Sequence, residues 1–93
     1  MKHRAEFLVE ELSAILDAVQ VLDAPNRGIT SIDDVAAKAK VKGRALRAAL
    51  RFLDREGYVD LMVAQNRTQA ERDYRHGWYD EARGYIAYVG LHR

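Results

Sequence analysis

The side chains best suited to chemistry in this sequence are four arginines that recur at three- and four-residue steps, Arg44, Arg47, Arg51 and Arg55. On a helix, at 100° per residue, they fall within about 80° of one another and form one stripe. A guanidinium fork donates two parallel hydrogen bonds to phosphate oxygens or to the edge of guanine. The spacing therefore predicts a surface that binds a polyanion.

The charge distribution supports that prediction. The net charge is only +1, but residues 24–57 carry eight basic and four acidic side chains. The window 35–53 has no acidic residue and six basic ones, namely Lys38, Lys40, Lys42, Arg44, Arg47 and Arg51. A field of one sign attracts a polyanion such as nucleic acid. The alternative is an ordinary solvated helix face, but such a face normally mixes both signs.

The basic residues divide into two expected roles. We expect Arg44, Arg47 and Arg51 to contact the groove of a duplex, where bases are distinguished. Phosphate contacts, which position a protein without reading sequence, are expected from Lys38, Lys40, Lys42 and Arg55.

The helix that carries the arginines is predicted to span residues 43–56. Leu46, Ala49, Leu50 and Leu53 form its apolar face, and the leucines average about 145° from the arginines. Burial of the leucines thus turns the arginines outward. Gly57 should end the helix in a left-handed cap that brings Tyr58 against Leu53.

Two more helices and three strands are predicted around it. Apolar residues at helical spacing indicate a first helix over residues 5–23, acidic on its outer side, and Pro25 begins the turn that follows. A minimal strand is expected at residues 29–30. Ser31 and Asp34 form a capping-box pattern that starts a second helix, ending near Ala39. Alternation predicts a strand from Tyr58 to Val63, and residues 84–89 predict a closing strand.

The polar segment 65–82 between the last two strands is interpreted as an extended hairpin tip. Arg67, Arg72 and Arg75 are candidate phosphate contacts there, although Glu71 and Asp73 make an ordinary charged loop an equal alternative. Tyr74 is a candidate for stacking on bases or for packing in the sheet. Trp78 is expected in the core.

Other classes of function have little support in the sequence. Cysteine is absent, which excludes disulfides and thiolate metal sites. The three histidines, His3, His76 and His92, are too scattered to predict a metal site. No glycine-rich phosphate loop or activated-nucleophile motif occurs. We expect no enzyme activity, no cofactor and no metal. The charged beginning of the chain is unlike a signal peptide or membrane span, so a single cytoplasmic domain is expected.

The stretch from Ser31 to Asp60 resembles the winged helix-turn-helix of small bacterial and archaeal transcriptional regulators. The matching features are Val35-Ala36, Val41, the Leu46, Leu50 and Leu53 spacing, and the exit Arg55-Glu56-Gly57-Tyr58-Val59. Two positions depart from the pattern: Lys40 stands where glycine is common, and Lys42 where a serine or threonine cap is common. The resemblance implies an α+β fold of three helices and a β-hairpin wing, with helix 43–56 in the major groove of duplex DNA and hairpin 65–76 on the flanking backbone.

Two other functions remain open. The same stretch looks like the N-terminal dimerisation module of small-molecule methyltransferases, a winged helix that binds no DNA. The arginine stripe favours DNA, because the centre of an association surface is usually depleted of charge. Binding of RNA, or of duplexes without sequence preference, is the third possibility. A homodimer is expected through the first helix or the last strand, since Tyr85, Ile86, Ala87, Tyr88, Val89 and Leu91 make both faces of that strand apolar.

Overall fold

The computed structural model describes residues 7–93 and has an α+β architecture. Its helices are α1 (Val9–Asp23), α2 (Ile32–Ala39), α3 (Gly43–Arg55) and α4 (Arg67–Asp73). Its strands are β1 (Thr30–Ser31), β2 (Val59–Val63), β3 (Trp78–Asp80) and β4 (Gly84–Leu91). The predicted beginning of the first helix, at residue 5, lies outside the described residues, but residues 7 and 8 are described and are not helical, so α1 begins later than predicted. The three predicted helices and the strands at residues 29–30, 58–63 and 84–89 are otherwise confirmed to within about two residues.

The antiparallel sheet is built around β4. On one side, β2 pairs with it from Val59↔Leu91 to Val63↔Ile86, with a bulge between Met62 and Val63. On the other side, β1 pairs with the end of β4 and β3 with its beginning. The outer edge of β2 has no strand partner within residues 7–93.

The main core lies between one face of this sheet and helices α1, α2 and α3. The predicted apolar face of α3 is confirmed, because Leu46, Leu50 and Leu53 are each at most 2% exposed. They pack in one cluster with residues of α1, α2 and β4. Trp78 belongs to the same cluster, as expected from the sequence.

The segment 65–76 is not the tip of a hairpin, and that prediction is wrong. It contains α4, whose Ala70 packs against Tyr85 and Ala87 in a second, smaller cluster. Asn66 caps the helix through its side-chain oxygen, which accepts a hydrogen bond from the Gln69 N–H at 3.0 Å. The chain therefore has a fourth helix, on the face of the sheet opposite α1, α2 and α3.

Helix α4 also changes the case for a dimer through the last strand. The second apolar face of β4, where Tyr85 and Ala87 are buried, is covered by α4 of the same chain. No large apolar side chain of β4 is exposed. The expectation that a second subunit must cover this strand is therefore incorrect.

The hairpin that does form joins β3 to β4. Its tip is the turn at residues 81–83, where the Asp80 carboxylate accepts hydrogen bonds from the N–H groups of Ala82 and Arg83 at 2.9 and 3.0 Å. The tip thus lies at the very end of the predicted segment 65–82 and outside the part, 65–76, that was expected to contact DNA.

Both turns that frame α3 use left-handed backbone. Gly57 has φ +83°, and the Tyr58 N–H donates to the Leu53 carbonyl at 2.9 Å, which confirms the predicted cap. Lys40 has φ +58° at the end of α2. The turn between α2 and α3 therefore adopts the conformation that favours glycine although lysine occupies the position.

The predicted cap of α2 is confirmed in one half. The Ser31 hydroxyl accepts a hydrogen bond from the Asp33 N–H at 3.1 Å, whereas Asp34 makes no side-chain hydrogen bond within residues 7–93. The neighbouring Asp33 carboxylate does not cap the helix either; it accepts hydrogen bonds from the N–H groups of Arg75 and His76. Finally, none of the helices described here is long and apolar enough to span a membrane.

Candidate nucleic-acid interface

The outer face of α3 is a row of exposed arginines. Arg44, Arg47, Arg51 and Arg55 are all exposed, opposite the buried leucines. We call these four residues the arginine ridge. Their arrangement follows directly from the helical period and the burial of the other face.

The arginine ridge is not neutralised by the rest of the fold as described. Within residues 7–93, no carboxylate forms an ion pair with any of its four guanidinium groups. Asp54, the acidic residue within α3, is paired instead with Arg83 of the β3–β4 turn at 2.9 Å. The hairpin tip therefore supplies the cation for Asp54, and the ridge keeps its charge.

A loop from the far side of the chain lies beside the beginning of α3. The N–H groups of Arg75 and His76, in the connection between α4 and β3, donate to the two carboxylate oxygens of Asp33 at 2.9 and 2.7 Å. Asp33 lies in the first turn of α2. This long-range contact brings the predicted phosphate ligand Arg75 next to the α2–α3 turn.

Two adjacent cavities separate this loop from the helices. One, of about 500 Å³, is lined by Asp33, Ala36, Ala37, Lys40, Val41, Lys42, Arg75 and His76. The other, of about 210 Å³, is lined by Gly43, Arg44, Arg47, Arg75, His76, Gly77 and Trp78. Because Arg75 and His76 line both, we treat the cavities as one feature and call it the basic groove.

A further depression, of about 310 Å³, lies on the opposite flank of the ridge. It is lined by Phe7, Ala48, Arg51, Phe52 and Arg55. The rings of Phe7 and Phe52 are 5.6 Å apart, and the Arg55 guanidinium lies 5.7 Å from the Phe52 ring centre. The ridge therefore runs between the basic groove and an aromatic contact that supports its C-terminal end.

The structure brings only some of the predicted residues together. Lys40, Lys42, Arg44, Arg47 and Arg75 line the basic groove, and Arg51 and Arg55 continue along α3. Lys38 is exposed on α2 and does not line the groove. The remaining two predicted residues, Arg67 and Arg72, lie on α4 behind the sheet.

Arg67 already has partners in its own part of the fold. Its guanidinium pairs with Glu71 at 2.6 Å and lies 3.9 Å from the centre of the Tyr79 ring. The hydrogen bond to Glu71 raises the pKa of Arg67 above its usual value. These contacts hold α4 to β3 and leave Arg67 poorly placed to join the ridge.

Tyr74 does not stack beside the ridge either. Its hydroxyl is 2.8 Å from that of Tyr88, and the rings meet edge to face at 5.5 Å between centres. The hydrogen bond with Tyr88, together with partial burial, raises the pKa of Tyr74 to about 12. Tyr74 is therefore not a residue of the sheet: it follows α4 and packs against Tyr88 of β4.

Two residues of the site were missed from the sequence. Asp33 tethers the loop that carries Arg75, and Arg83 pairs with Asp54. The partners in each of these contacts are more than 28 residues apart in the chain, so no local sequence spacing predicts the contact. Within the described range, no cluster of three or more histidine, aspartate or glutamate side chains has the arrangement of a metal site. His3 lies outside that range.

Comparison with known proteins finds no matching family model, no matching curated protein and no matching solved structure. The functional argument therefore rests on the geometry and charge of the chain itself.

Proposed function

We propose that this protein is a winged helix-turn-helix protein that binds duplex DNA and acts as a transcriptional regulator in the cytoplasm. Helix α3 enters the major groove, and the loop that carries Arg75 contacts the neighbouring backbone. The observation that supports this most strongly is the arginine ridge, exposed and without a carboxylate partner among the described residues.

The dimensions of α3 suit a major groove. Thirteen residues make a helix about 20 Å long, and the major groove of about 12 Å admits one helix. Arg44, Arg47 and Arg51 then face base edges, while Arg55 faces the backbone. The N-terminal end of α3 carries no acidic residue in its first turn, so its helix dipole favours a nearby phosphate.

The element order also supports the proposal. Helix, short strand, two helices and a pair of strands follow one another as in a winged helix, and β4 lies between β1 and β2. Helix α4 and strand β3 are inserted in the chain between β2 and β4, the two strands of the expected wing. The β3–β4 hairpin and the Arg75 loop take the place of a simple extended wing.

A protein-interaction module that binds no DNA is the second candidate. Leu8, Val9 and Val21, at and along α1, are each more than half exposed. We propose that a homodimer forms through α1, because these exposed apolar side chains lie on or beside that helix. A monomer at micromolar concentration in size-exclusion light scattering would contradict the dimer without affecting the DNA proposal.

The DNA proposal is tested by fluorescence anisotropy with a labelled random duplex at several salt concentrations. With about four to six phosphate contacts, we expect the plot of log affinity against log salt to have a slope near −4 to −5. The double variant Arg47→Ala/Arg51→Ala should bind at least tenfold more weakly, with a slope shallower by about two.

The control removes the same charge from other surfaces. Arg27→Asn/Arg72→Ala changes the turn after α1 and the outer side of α4, and asparagine tolerates the positive φ of residue 27. This variant should keep nearly all of the affinity. Equal binding by the ridge variant and the unmodified protein would reject the proposal. Equal affinity for random and selected duplexes would reject sequence-specific regulation but not nucleic-acid binding.

A further inference from the structure

Asp33 is the one acidic residue among the described residues that line the basic groove. Around it lie Lys40, Lys42, Arg44, Arg47 and Arg75. A carboxylate in a groove for a polyanion repels its ligand. Asp33 is therefore expected to have a structural role that offsets this repulsion.

That role is visible in its hydrogen bonds. The two carboxylate oxygens of Asp33 accept one N–H each from Arg75 and His76, at 2.9 and 2.7 Å. Within residues 7–93 these two N–H groups have no other partner. Hydrogen bonds to an ionised acceptor are among the stronger ones in proteins.

The loop is also fixed from behind. A Cβ at Gly77 would come within 2.5 Å of the Ile86 carbonyl oxygen, so the backbone lies directly against β4. Held by β4 on one side and by Asp33 on the other, the loop keeps Arg75 across from Lys40 and Lys42.

We propose that Asp33 is a positioning residue that tethers the loop 75–77 so that the basic groove receives one phosphodiester strand of the duplex. This inference rests on the proposed DNA binding and adds the place of the strand, between the α2–α3 turn and the loop. A strand fits because its phosphates form a linear array of negative charge that follows a line of cations.

The variant Asp33→Asn separates tethering from simple electrostatics, because the two predict opposite signs. Loss of a negative charge alone would tighten binding. Loss of the tether weakens it, since the asparagine amide has one acceptor oxygen for two N–H groups. We expect affinity to fall about three- to tenfold, as for the loss of one hydrogen-bonded contact, and the salt slope to become shallower by about one.

Asp34→Asn is the matched control. Asp34 is in the same first turn of α2, is exposed and makes no side-chain hydrogen bond among the described residues. The substitution Asp34→Asn removes the same negative charge as Asp33→Asn and the same favourable interaction of that charge with the helix dipole. Its affinity should be unchanged or slightly higher. In an Arg75→Ala background, Asp33→Asn should cause no additional loss, because the contact that it positions is already absent.

Amide hydrogen exchange of the free protein gives an independent reading of the tether. The amides of Arg75 and His76 should exchange at least tenfold faster in Asp33→Asn than in the unmodified protein, and should not change in Asp34→Asn. Unchanged exchange, or tighter binding by Asp33→Asn, would overturn the tether. Failure of the unmodified protein to bind duplex would overturn the DNA proposal and the strand position with it, while the exchange result still decides the tether.

Discussion

Removal of the Asp23 carboxylate should destabilise the fold through the end of β4. Asp23 is the last residue of α1 and is only 4% exposed. It accepts hydrogen bonds from the Leu91 N–H at 2.9 Å and from the Arg93 guanidinium at 2.7 Å. The residue thus links the end of the first helix to the end of the central strand, 68 residues later.

The size of the effect follows from these contacts. In Asp23→Ala the Leu91 N–H loses its acceptor, which costs about 1–3 kcal/mol. The pair with the exposed Arg93 adds about 0–1 kcal/mol. Removal of a negative charge from the C-terminal end of a helix returns about 0.3–1 kcal/mol. The net loss should be about 1–3 kcal/mol, which lowers Tm by roughly 5–20 °C in a domain of this size.

The same contacts predict how the effect depends on pH. The hydrogen bond from Leu91, followed by the bond and charge of Arg93, lowers the pKa of Asp23 below its usual 3.8, although burial opposes the shift. Because the folded-state pKa lies below the unfolded one, the stabilisation is complete above the unfolded value. It disappears as the pH falls through the folded value.

Urea unfolding at about pH 7 and about pH 3 measures both effects. Arg93→Ala is the control, and should lose about 1 kcal/mol or less at neutral pH because only the exposed pair is removed. The difference between the unmodified protein and Asp23→Asn should shrink as the solution is acidified. Equal stabilities of Asp23→Ala and the unmodified protein at neutral pH would refute the role assigned to this carboxylate.

Two further substitutions test the turn before α3 and the close approach of β4 to the turn after α1. Lys40→Gly should raise the free energy of unfolding in urea by about 0.5–1 kcal/mol, since φ +58° is strained for lysine. The same substitution removes one cation and should make the salt slope of DNA binding shallower by about one. A loss of stability would contradict the left-handed turn. Gly90→Ala should cost about 2–4 kcal/mol or prevent folding, because its Cβ would overlap the Gly28 carbonyl oxygen. A thermal melt like that of the unmodified protein would show that these backbones do not lie so close.

The parts of the fold that the sequence predicted well are those whose apolar residues repeat. Leu46, Leu50 and Leu53 follow one face of α3, and the turn at Gly57 follows from the conformation that glycine allows. The outward direction of the arginines needs no further information, since it is the opposite side of the same helix. The local periodicity of the apolar residues was therefore enough to predict both the helix and its exposed face.

Helix α4 was not predicted because its sequence has almost no helical repeat of apolar residues. Its seven residues contain one buried position, Ala70, and its support comes from the Asn66 cap, the Arg67–Glu71 pair and contact with β4. A helix this short depends on tertiary packing. The mistaken need for a partner over β4 has the same origin, since the cover for Tyr85 and Ala87 lies in α4.

Only some residues of the candidate site were predicted from the sequence, and the way in which the fold assembles them was not. Arg75 was expected to contact a backbone phosphate from a hairpin tip that also carried Arg67 and Arg72. In the structure it lies beside α3, apart from those two residues. Its position beside α3 depends on Asp33, 42 residues earlier in the chain. Such a contact has no local sequence pattern.

The central claim is that the arginine ridge and the basic groove form the DNA-binding surface. An NMR titration of the isotopically labelled protein with a short duplex maps that surface directly. We expect the largest amide shift changes at residues 40–55 and 75–77, with α4 nearly unaffected. Changes concentrated on α4 or α1, or none at saturating duplex, would contradict the claim.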